Sequence, residues 1–246
     1  MQSDNPTAAI LVIGDEILSG RTREGNAHHL SQVLNSIGID LCEIRIVADE
    51  EAQIVAAIRA LDKSLGGAWD MLFTSGGIGP THDDITADAV AKAFNTGISI
   101  HADARRILED RWGRQGVEIT ENRLRMARIP HGATLIDNPV SAAPGFSIGN
   151  THVMAGVPEV FRAMVDSLRP GLATGRPTVS EALEVLRPES DVANPLRQVA
   201  EEYPDLSLGC YPFKRGDRYG TSLVIRGLDQ KRVTDAMTKL RERLAL

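Results

Sequence analysis

Positions 8 to 13 are apolar without a break, from Ala8 to Ile13. A run this short reads as a buried strand. Leu30, Val33, Leu34 and Ile37 then recur at helical spacing, and Gly38 stops the helix. From Leu41 to Val47, Cys42, Ile44 and Ile46 alternate with Glu43 and Arg45, which predicts a strand with one wetter face. Ile54, Ala57, Ile58, Leu61 and Leu65 mark the next helix, and Gly66-Gly67 ends it. Met71-Leu72-Phe73 predicts a third short strand, and Ala89, Val90, Ala93 and Phe94 a third helix. Strand alternating with helix means βαβ units and a mostly parallel sheet covered on both faces. Ligands of such sheets sit beyond the carboxyl ends of the strands, so the Gly14, Asp49 and Gly76 segments are expected to share one crevice.

The middle of the chain is less regular. Ala104, Ile107, Leu108 and Trp112 predict a helix, and seven arginines fall between Arg105 and Arg128. That stretch reads first as a solvated helical face; its functional reading is a lid over anionic phosphates. Residues 133 to 155 look like short strands and turns broken by Pro139, Pro144, Gly145 and Gly149. Phe161, Met164, Val165 and Leu168 predict a helix after Pro158. Arg169-Pro170-Gly171 and Gly175-Arg176-Pro177 punctuate a boundary near residue 173. Beyond it lie a helix through Val192, Leu196, Val199 and Ala200, strands at Ser207 to Tyr211 and Thr221 to Ile225, and a terminal helix through Val233, Met237, Leu240 and Leu244. The expected organisation is an α/β domain over residues 1–172 and a small α+β domain over 173–246, without internal repeats.

The most informative stretch is Ser75-Gly76-Gly77-Ile78-Gly79-Pro80-Thr81-His82-Asp83-Asp84. It joins the end of a predicted strand to the start of a predicted helix. Glycines there permit positive φ and close approach of a ligand to the backbone, and a helix N-terminus favours an anion such as phosphate. Asp83 and Asp84 would repel a bare phosphate. A hard divalent cation, Mg2+ or another, held by carboxylate and phosphate oxygens together, reconciles the two; simple helix capping is the alternative. Thr81 and Ser75 offer hydroxyls to phosphate or metal, with capping again the alternative. Asp15 and Glu16, after Gly14, stand where a carboxylate binds metal, accepts from a ribose hydroxyl or caps a turn. Ser141 and Asn138 fall in a turn whose backbone would line the crevice. His28, His29 and His82 carry no ligand assignment, and no nucleophile–base pair is legible.

The loop Gly-Gly-x-Gly-Pro-Thr-x-Asp-Asp resembles the signature of the MoaB/Mog molybdopterin-binding domain family, and within it the competence/damage-inducible protein A (CinA) type. Other stretches agree in order: Gly14-Asp15-Glu16-Ile17-Leu18, Ser19-Gly20-Arg21-Thr22, Asn26, Asp49, Asn138-Pro139, Ala143-Pro144-Gly145-Phe146 and Ala155-Gly156-Val157-Pro158-Glu159. The resemblance covers about residues 8 to 170 and implies a three-layer α/β fold. It implies ligand-binding roles for Gly14, Asp15, Glu16, Asn26, Ser75, Gly76, Gly77, Gly79, Pro80, Thr81, Ser141, Gly156 and Pro158. Catalytic roles would fall to Asp84, Asp83 and Asp49, and metal ligation to Asp84, Asp83 and Asp15. The implied activity is metal-dependent hydrolysis of nucleotide pyrophosphates such as ADP-ribose or FAD. Adenylylation of molybdopterin and non-catalytic binding of a pterin or nucleotide are the alternatives. Gly25, Met154-Ala155-Gly156 and Arg125-Met126-Ala127 depart from the commoner family residues and bear on the ligand more than on the fold. The chain also ends without the nicotinamide-nucleotide amidase domain of full-length CinA proteins, so amidase activity is not implied.

Composition narrows the classes further. The net charge is −6 at pH 7. Residues 1–174 hold 15 basic and 22 acidic side chains, residues 175–246 hold 12 and 11, so neither part has the basic excess of a nucleic-acid binder. Aromatics are 4%, too few for base-stacking platforms. No apolar run approaches a membrane span, and the start from Met1 to Pro6 lacks the basic region of a secretory signal. Cys42 and Cys210 form neither a metal spacing nor a disulfide framework and read as buried free thiols. A cytoplasmic location is therefore expected. The small C-terminal unit has a modest core, which together with the resemblance predicts a homo-oligomer, dimer or trimer.

Overall fold

The computed structural model describes residues 4–246; Met1, Gln2 and Ser3, part of the start read above as lacking a secretory signal, lie outside the described residues. The chain divides into two compact units, Asn5–Gly175 and one built on Arg176–Leu246. The division falls between Gly175 and Arg176, a few residues beyond the expected boundary.

In the first unit β1 (Thr7–Ile13), β2 (Asp40–Val47) and β3 (Met71–Ser75) alternate with helices. These are α1 (Asp15–Leu18), α2 (Asn26–Ser36), α3 (Glu51–Leu61) and α4 (Thr86–Ala93). Then come β4 (Ile98–Ile100), α5 (Ala102–Gly113), α6 (Glu121–Leu124), β5 (Arg128–Pro130), β6 (Thr134–Ile136), β7 (Gly145–Ile148), β8 (Thr151–Met154) and α7 (Pro158–Leu168). The main sheet has the order β2-β1-β3-β8-β7-β6. Its β2, β1, β3 and β8 neighbours run parallel, and the β8-β7-β6 edge is antiparallel. A separate antiparallel pair joins β4 to β5.

The unbroken apolar run of β1 has a direct physical reason. Ala9, Leu11 and Ile13 pack with α3 and α4 in one core, whereas Ala8, Ile10 and Val12 pack with α2 and α7 in another. Successive side chains of a strand point to opposite faces, so a strand covered on both faces must be apolar at every position. The result is the expected three-layer α/β arrangement. Full burial of a side chain such as Ile10 or Leu11 contributes roughly 1.5–3 kcal/mol of apolar transfer.

The second unit contains β9 (Val179–Val185), α8 (Glu189–Glu202), β10 (Ser207–Arg215), β11 (Arg218–Gly227) and α9 (Gln230–Arg243). Its antiparallel sheet has the order β10-β11-β9. One face packs through Leu183, Val185, Leu223 and Ile225 onto Val192, Val199, Val233 and Leu240 of the two helices. This is the expected small α+β unit, with one strand, β9, that sequence reading did not assign. Both cysteines are free, but the expectation that they are buried is corrected: Cys42 is exposed and Cys210 half-buried. Cys42 lies on the open edge strand β2, which has β1 on one side only. Among the described residues no helix is long and apolar enough to cross a membrane.

Candidate functional site

Four parallel strands end at one edge of the first unit, and their loops meet there. Gly14 leaves β1 and donates its N–H to the Val47 carbonyl at the end of β2, 3.2 Å away. Gly76 leaves β3 with φ at +111°, and its N–H reaches the Met154 carbonyl at the end of β8, 3.1 Å away. A Cβ on Gly76 would stand 2.2 Å from the Ile13 carbonyl oxygen. Only glycine brings this loop so close to the β1 backbone. Thr86, fully buried at the first turn of α4, donates its hydroxyl to the Gly76 carbonyl at 3.0 Å, and its N–H bonds the Gly77 carbonyl. The glycine turn is thus pinned from both sides.

A crevice of about 360 Å3 opens above these ends, lined by Gly14, Glu16, Asp49, Gly76, Gly77, Asp83, Asp84, Gly156 and Pro158 with Ile13, Thr22 and Val157. A narrower extension runs past Asn26 and Ser75, with Glu16, Thr22, Gly156 and Pro158 on both linings. The starts of α2 and α7 open onto it through Gly25, Asn26, Val157 and Pro158, so the positive ends of two helix dipoles face it. Asn26 ties the elements together: its Nδ2 donates to Ser75 Oγ at 2.9 Å and to the Gly156 carbonyl at 2.8 Å.

The carboxylates fall into two small groups. Thr81 donates its N–H to Asp84 Oδ2 at 2.7 Å, and its single hydroxyl proton lies between Asp84 Oδ2 and Asp83 Oδ1. On the opposite wall, the Asp15 N–H donates to Asp49 Oδ2 at 2.9 Å and the Asp49 N–H to Asp15 Oδ1 at 3.4 Å. Burial, then the negative charges of Asp15, Glu16 and Asp83, push the Asp49 carboxyl above its ordinary range, against the lowering effect of the Asp15 N–H. The Thr81 hydroxyl holds the Asp83 carboxyl below its ordinary range. The crevice lining has no basic side chain. Among the described residues no three acidic, histidine or cysteine side chains converge as a metal-ligand group. The expected Asp15, Asp83 and Asp84 set is therefore not assembled: the turn after β1 commits Asp15 to Asp49, whereas Thr81 gathers Asp83 with Asp84.

The remaining expected site residues divide. Gly79 lies beneath the Asp84 carboxylate, where a Cβ would stand 2.6 Å from Oδ2. Pro80 and Thr81 line a different cavity, shared with the 120–125 segment. Ser141 is exposed and outside the crevice lining: its Oγ accepts from Asn138 Nδ2 at 2.6 Å, inside a turn that Asn138 closes with Ala143, Val140 and Ser141. Sequence reading missed Thr86, whose signal was a hydroxyl at the first turn of a predicted helix. It also gave no role to Glu24, which accepts the Ala27 N–H at 2.8 Å and so caps α2 beside the crevice.

Residues 9–174 match the family model described as "Probable molybdopterin binding domain", and residues 177–246 match "FAD synthase, middle domain". A protein of Metallosphaera sedula is 36% identical over 177 residues, 70% of this chain and 66% of that one. A "Probable FAD synthase" of Caenorhabditis elegans is 30% identical across 97% of this chain and 50% of its own length. The crystal structure of the protein CinA, of unknown function, from Thermoplasma acidophilum superposes with a TM-score of 0.62 at 31% identity, covering 69% of this chain and 99% of that one. The chain thus spans somewhat less than two thirds of the length of the archaeal relative and half of the FAD synthase.

Proposed function

We propose that this chain, which belongs to the molybdopterin-binding-domain family through residues 9–174, binds a phosphate-bearing nucleotide or pterin in the acidic crevice and hydrolyses the pyrophosphate of a nucleotide such as ADP-ribose or FAD. The observation that carries this reading is the juxtaposition of a glycine turn, the α7 N-terminus and the carboxylates of Asp49, Asp83, Asp84 and Glu16 in a crevice lined by no basic side chain, with the α2 N-terminus in an extension that Arg23 and Glu24 also line. N–H groups and dipoles attract phosphate; unbalanced carboxylates repel it. A divalent cation such as Mg2+ satisfies both. Its donors are hard oxygens, and it is commonly held by only one or two carboxylates plus substrate phosphate and water, so a ready-made three-residue cage is not required. Asp84 and Asp83, gathered by Thr81, would hold it. When bound, it would neutralise phosphate charge and lower the pKa of a coordinated water.

The protein's own residues do the rest. The Gly76-Gly77 backbone admits the phosphate close to the chain, and the α2 and α7 N-termini favour charge building up on its oxygens. Asp49, whose proton affinity is raised by burial and by its acidic neighbours, is placed to accept a proton from an attacking water. A second reading, transfer of an adenylyl group to a pterin, is favoured by the description of the matched family. Either reaction would run in a cytoplasmic dimer or trimer; light scattering tests this, since a mass near 26.6 kDa at micromolar concentration would refute self-association.

Turnover of ADP-ribose, FAD, and molybdopterin plus ATP, each with and without Mg2+, tests the reading. AMP release from the first two, dependent on Mg2+, is the expected result. AMP transfer to the pterin selects the second reading. Tight binding without turnover identifies a non-catalytic binding module and overturns both.

A further inference from the structure

The signature loop has a second side. There a cavity of about 570 Å3 is lined by Thr81 and His82 of the loop and by Thr120, Asn122, Arg123 and Arg125. No acidic side chain lines it. The seven arginines of the 105–128 stretch behave in different ways. Arg105 and Arg106 pair with Glu109 and Asp103 on the surface of α5, and Arg128 pairs with Asp88. Among the described residues, neither Arg123 nor Arg125 pairs with a carboxylate. Arg123 donates Nη1 to the Glu118 carbonyl and lies 5.3 Å from the Trp112 ring centroid. Arg125 donates Nη2 to the Asp84 carbonyl at 3.3 Å, and its Nε is buried with no hydrogen-bond partner.

Two guanidinium groups without counter-charge, in a concavity that also offers hydroxyl and amide donors, suit a ligand with several acceptor oxygens. A buried donor without a protein partner is rare in a folded protein and is completed by water or by a bound acceptor. The donors are fixed before any ligand arrives: Thr120 caps α6 by accepting the Arg123 N–H on its hydroxyl oxygen, and Arg125 is tethered to the signature loop. The opposite side of the same loop carries only carboxylates. The loop therefore separates a surface that takes phosphate directly from one that takes it only with a cation.

We propose that the cavity of Arg123 and Arg125 is a metal-independent phosphate subsite that takes a nucleoside diphosphate or free pyrophosphate, separate from the acidic crevice. The binding of phosphate by this cavity does not rest on the hydrolase reading above. Arg125 also couples the sides, because the ligand it holds is tied through its Nη2 to the backbone of Asp84.

Calorimetry on the full chain tests the subsite, with ADP, inorganic pyrophosphate and adenosine titrated in the presence of EDTA. ADP and pyrophosphate are expected to bind and adenosine not. Arg123→Met and Arg125→Met should each weaken ADP by about ten-fold or more, the scale of one lost charge-assisted contact, and Arg125→Lys should recover part of the loss. Arg105→Met, on the paired surface of α5, should leave metal-free binding unchanged. Circular dichroism melts check folding; if Arg125→Met unfolds, Arg123→Met and Arg125→Lys decide. The subsite is overturned by unchanged ADP affinity in the arginine variants, by equal binding of adenosine, or by no metal-free binding of ADP and pyrophosphate. The two readings fail separately. No turnover with intact metal-free binding removes the hydrolase and keeps the subsite, whereas turnover with unchanged metal-free ADP affinity in Arg123→Met and Arg125→Met does the reverse.

Discussion

Thr81 stands between two surfaces of opposite charge. Its hydroxyl is held by Asp83 and Asp84, which face a crevice with four carboxylates and no cation. Its other side belongs to a cavity with two arginines and no carboxylate. The crevice is built on the rigid ends of parallel strands, and the cavity on short helical pieces between α5 and β5. The crevice residues come from four separated stretches of chain, the cavity residues from two. A strand edge gathers distant segments because parallel strands direct all their carboxyl ends one way. A local helical insertion adds charge to one loop without disturbing the sheet. Phosphate affinity on the two sides therefore has different origins, one through a cation and one through guanidinium groups, and this difference is open to experiment.

The largest effect is expected at the glycine turn that opens the signature loop, whose later residues line both surfaces. Gly76→Ala places a methyl group against the Ile13 carbonyl at a positive φ and should cost on the order of 3 kcal/mol, read by urea denaturation. Loss of both metal-dependent and metal-free binding should accompany it. If Gly76→Ala keeps full stability and either site, the pinned-turn account fails.

Asp84→Asn separates the sides. Asparagine keeps a carbonyl oxygen for the Thr81 N–H and hydroxyl, so the melting temperature should stay close to that of the parent. Mg2+-dependent turnover should fall at least about a hundred-fold, the scale on which loss of one electrostatic group slows a site. Metal-free ADP binding should persist. A variant that unfolds instead would make Asp84 a capping residue.

Asp49→Asn is expected to be stabilising. Its carboxyl is raised above the ordinary aspartate value by burial and by the charges of Asp15, Glu16 and Asp83. Below that ordinary value the carboxyl is protonated in both folded and unfolded chains, and its environment costs nothing. As pH rises through the raised folded value, ionisation costs stability, and the cost persists at neutral pH. Removing the charge should raise the melting temperature at pH 7 by about 2–4 °C, the response of a chain this size to ~1 kcal/mol. The gain should vanish near pH 3 and shrink when Mg2+ is added to the parent. A lower melting temperature at pH 7 would mean that the hydrogen bonds to Asp15 outweigh the repulsion.

The smallest expected effect is ionic. Raising ionic strength from about 0.01 to about 0.15 M shortens the screening length from about 30 to about 8 Å. Metal-free ADP binding should weaken several-fold over this range, and the loss should be smaller in Arg123→Met. Equal salt sensitivity in parent and variant would show that long-range charge, not Arg123, drives the contact.

Much of the acidic crevice was legible along the chain, because its parts are consecutive residues with strong local signals. Gly14, Asp49 and Gly76 each end an apolar strand, and the glycine loop announces itself. Asn26, Gly156 and Pro158 were reached only through the resemblance, and the structure shows the physical link as the bonds from Asn26 to Ser75 and Gly156. The pairing of carboxylates was not legible. Asp15 is adjacent in sequence to Glu16 and was grouped with Asp83 and Asp84, yet a turn directs it to Asp49. Ser141 was credited to the crevice, but Asn138 uses it to close a turn.

By itself the sequence determined the βαβ start, the three layers and the position of the glycine turn. Strand burial on two faces demands continuous apolar runs, and a turn against backbone demands glycine, so both constraints are written locally. Tertiary structure alone decided three other matters. Strand β9 has Glu181 and Glu184 among Ala182 and Leu183, a weak alternation that becomes a strand because β11 offers it a partner. The antiparallel β6-β7-β8 edge arises from very short segments whose direction only pairing fixes. The arginine stretch divides between a paired surface and an unpaired cavity because the path from α5 to β5 carries Arg123 and Arg125 to the signature loop and leaves Arg105 and Arg106 beside acidic neighbours on α5. Identical side chains acquire different roles there because charge compensation depends on proximity in space, which periodicity along the chain does not encode.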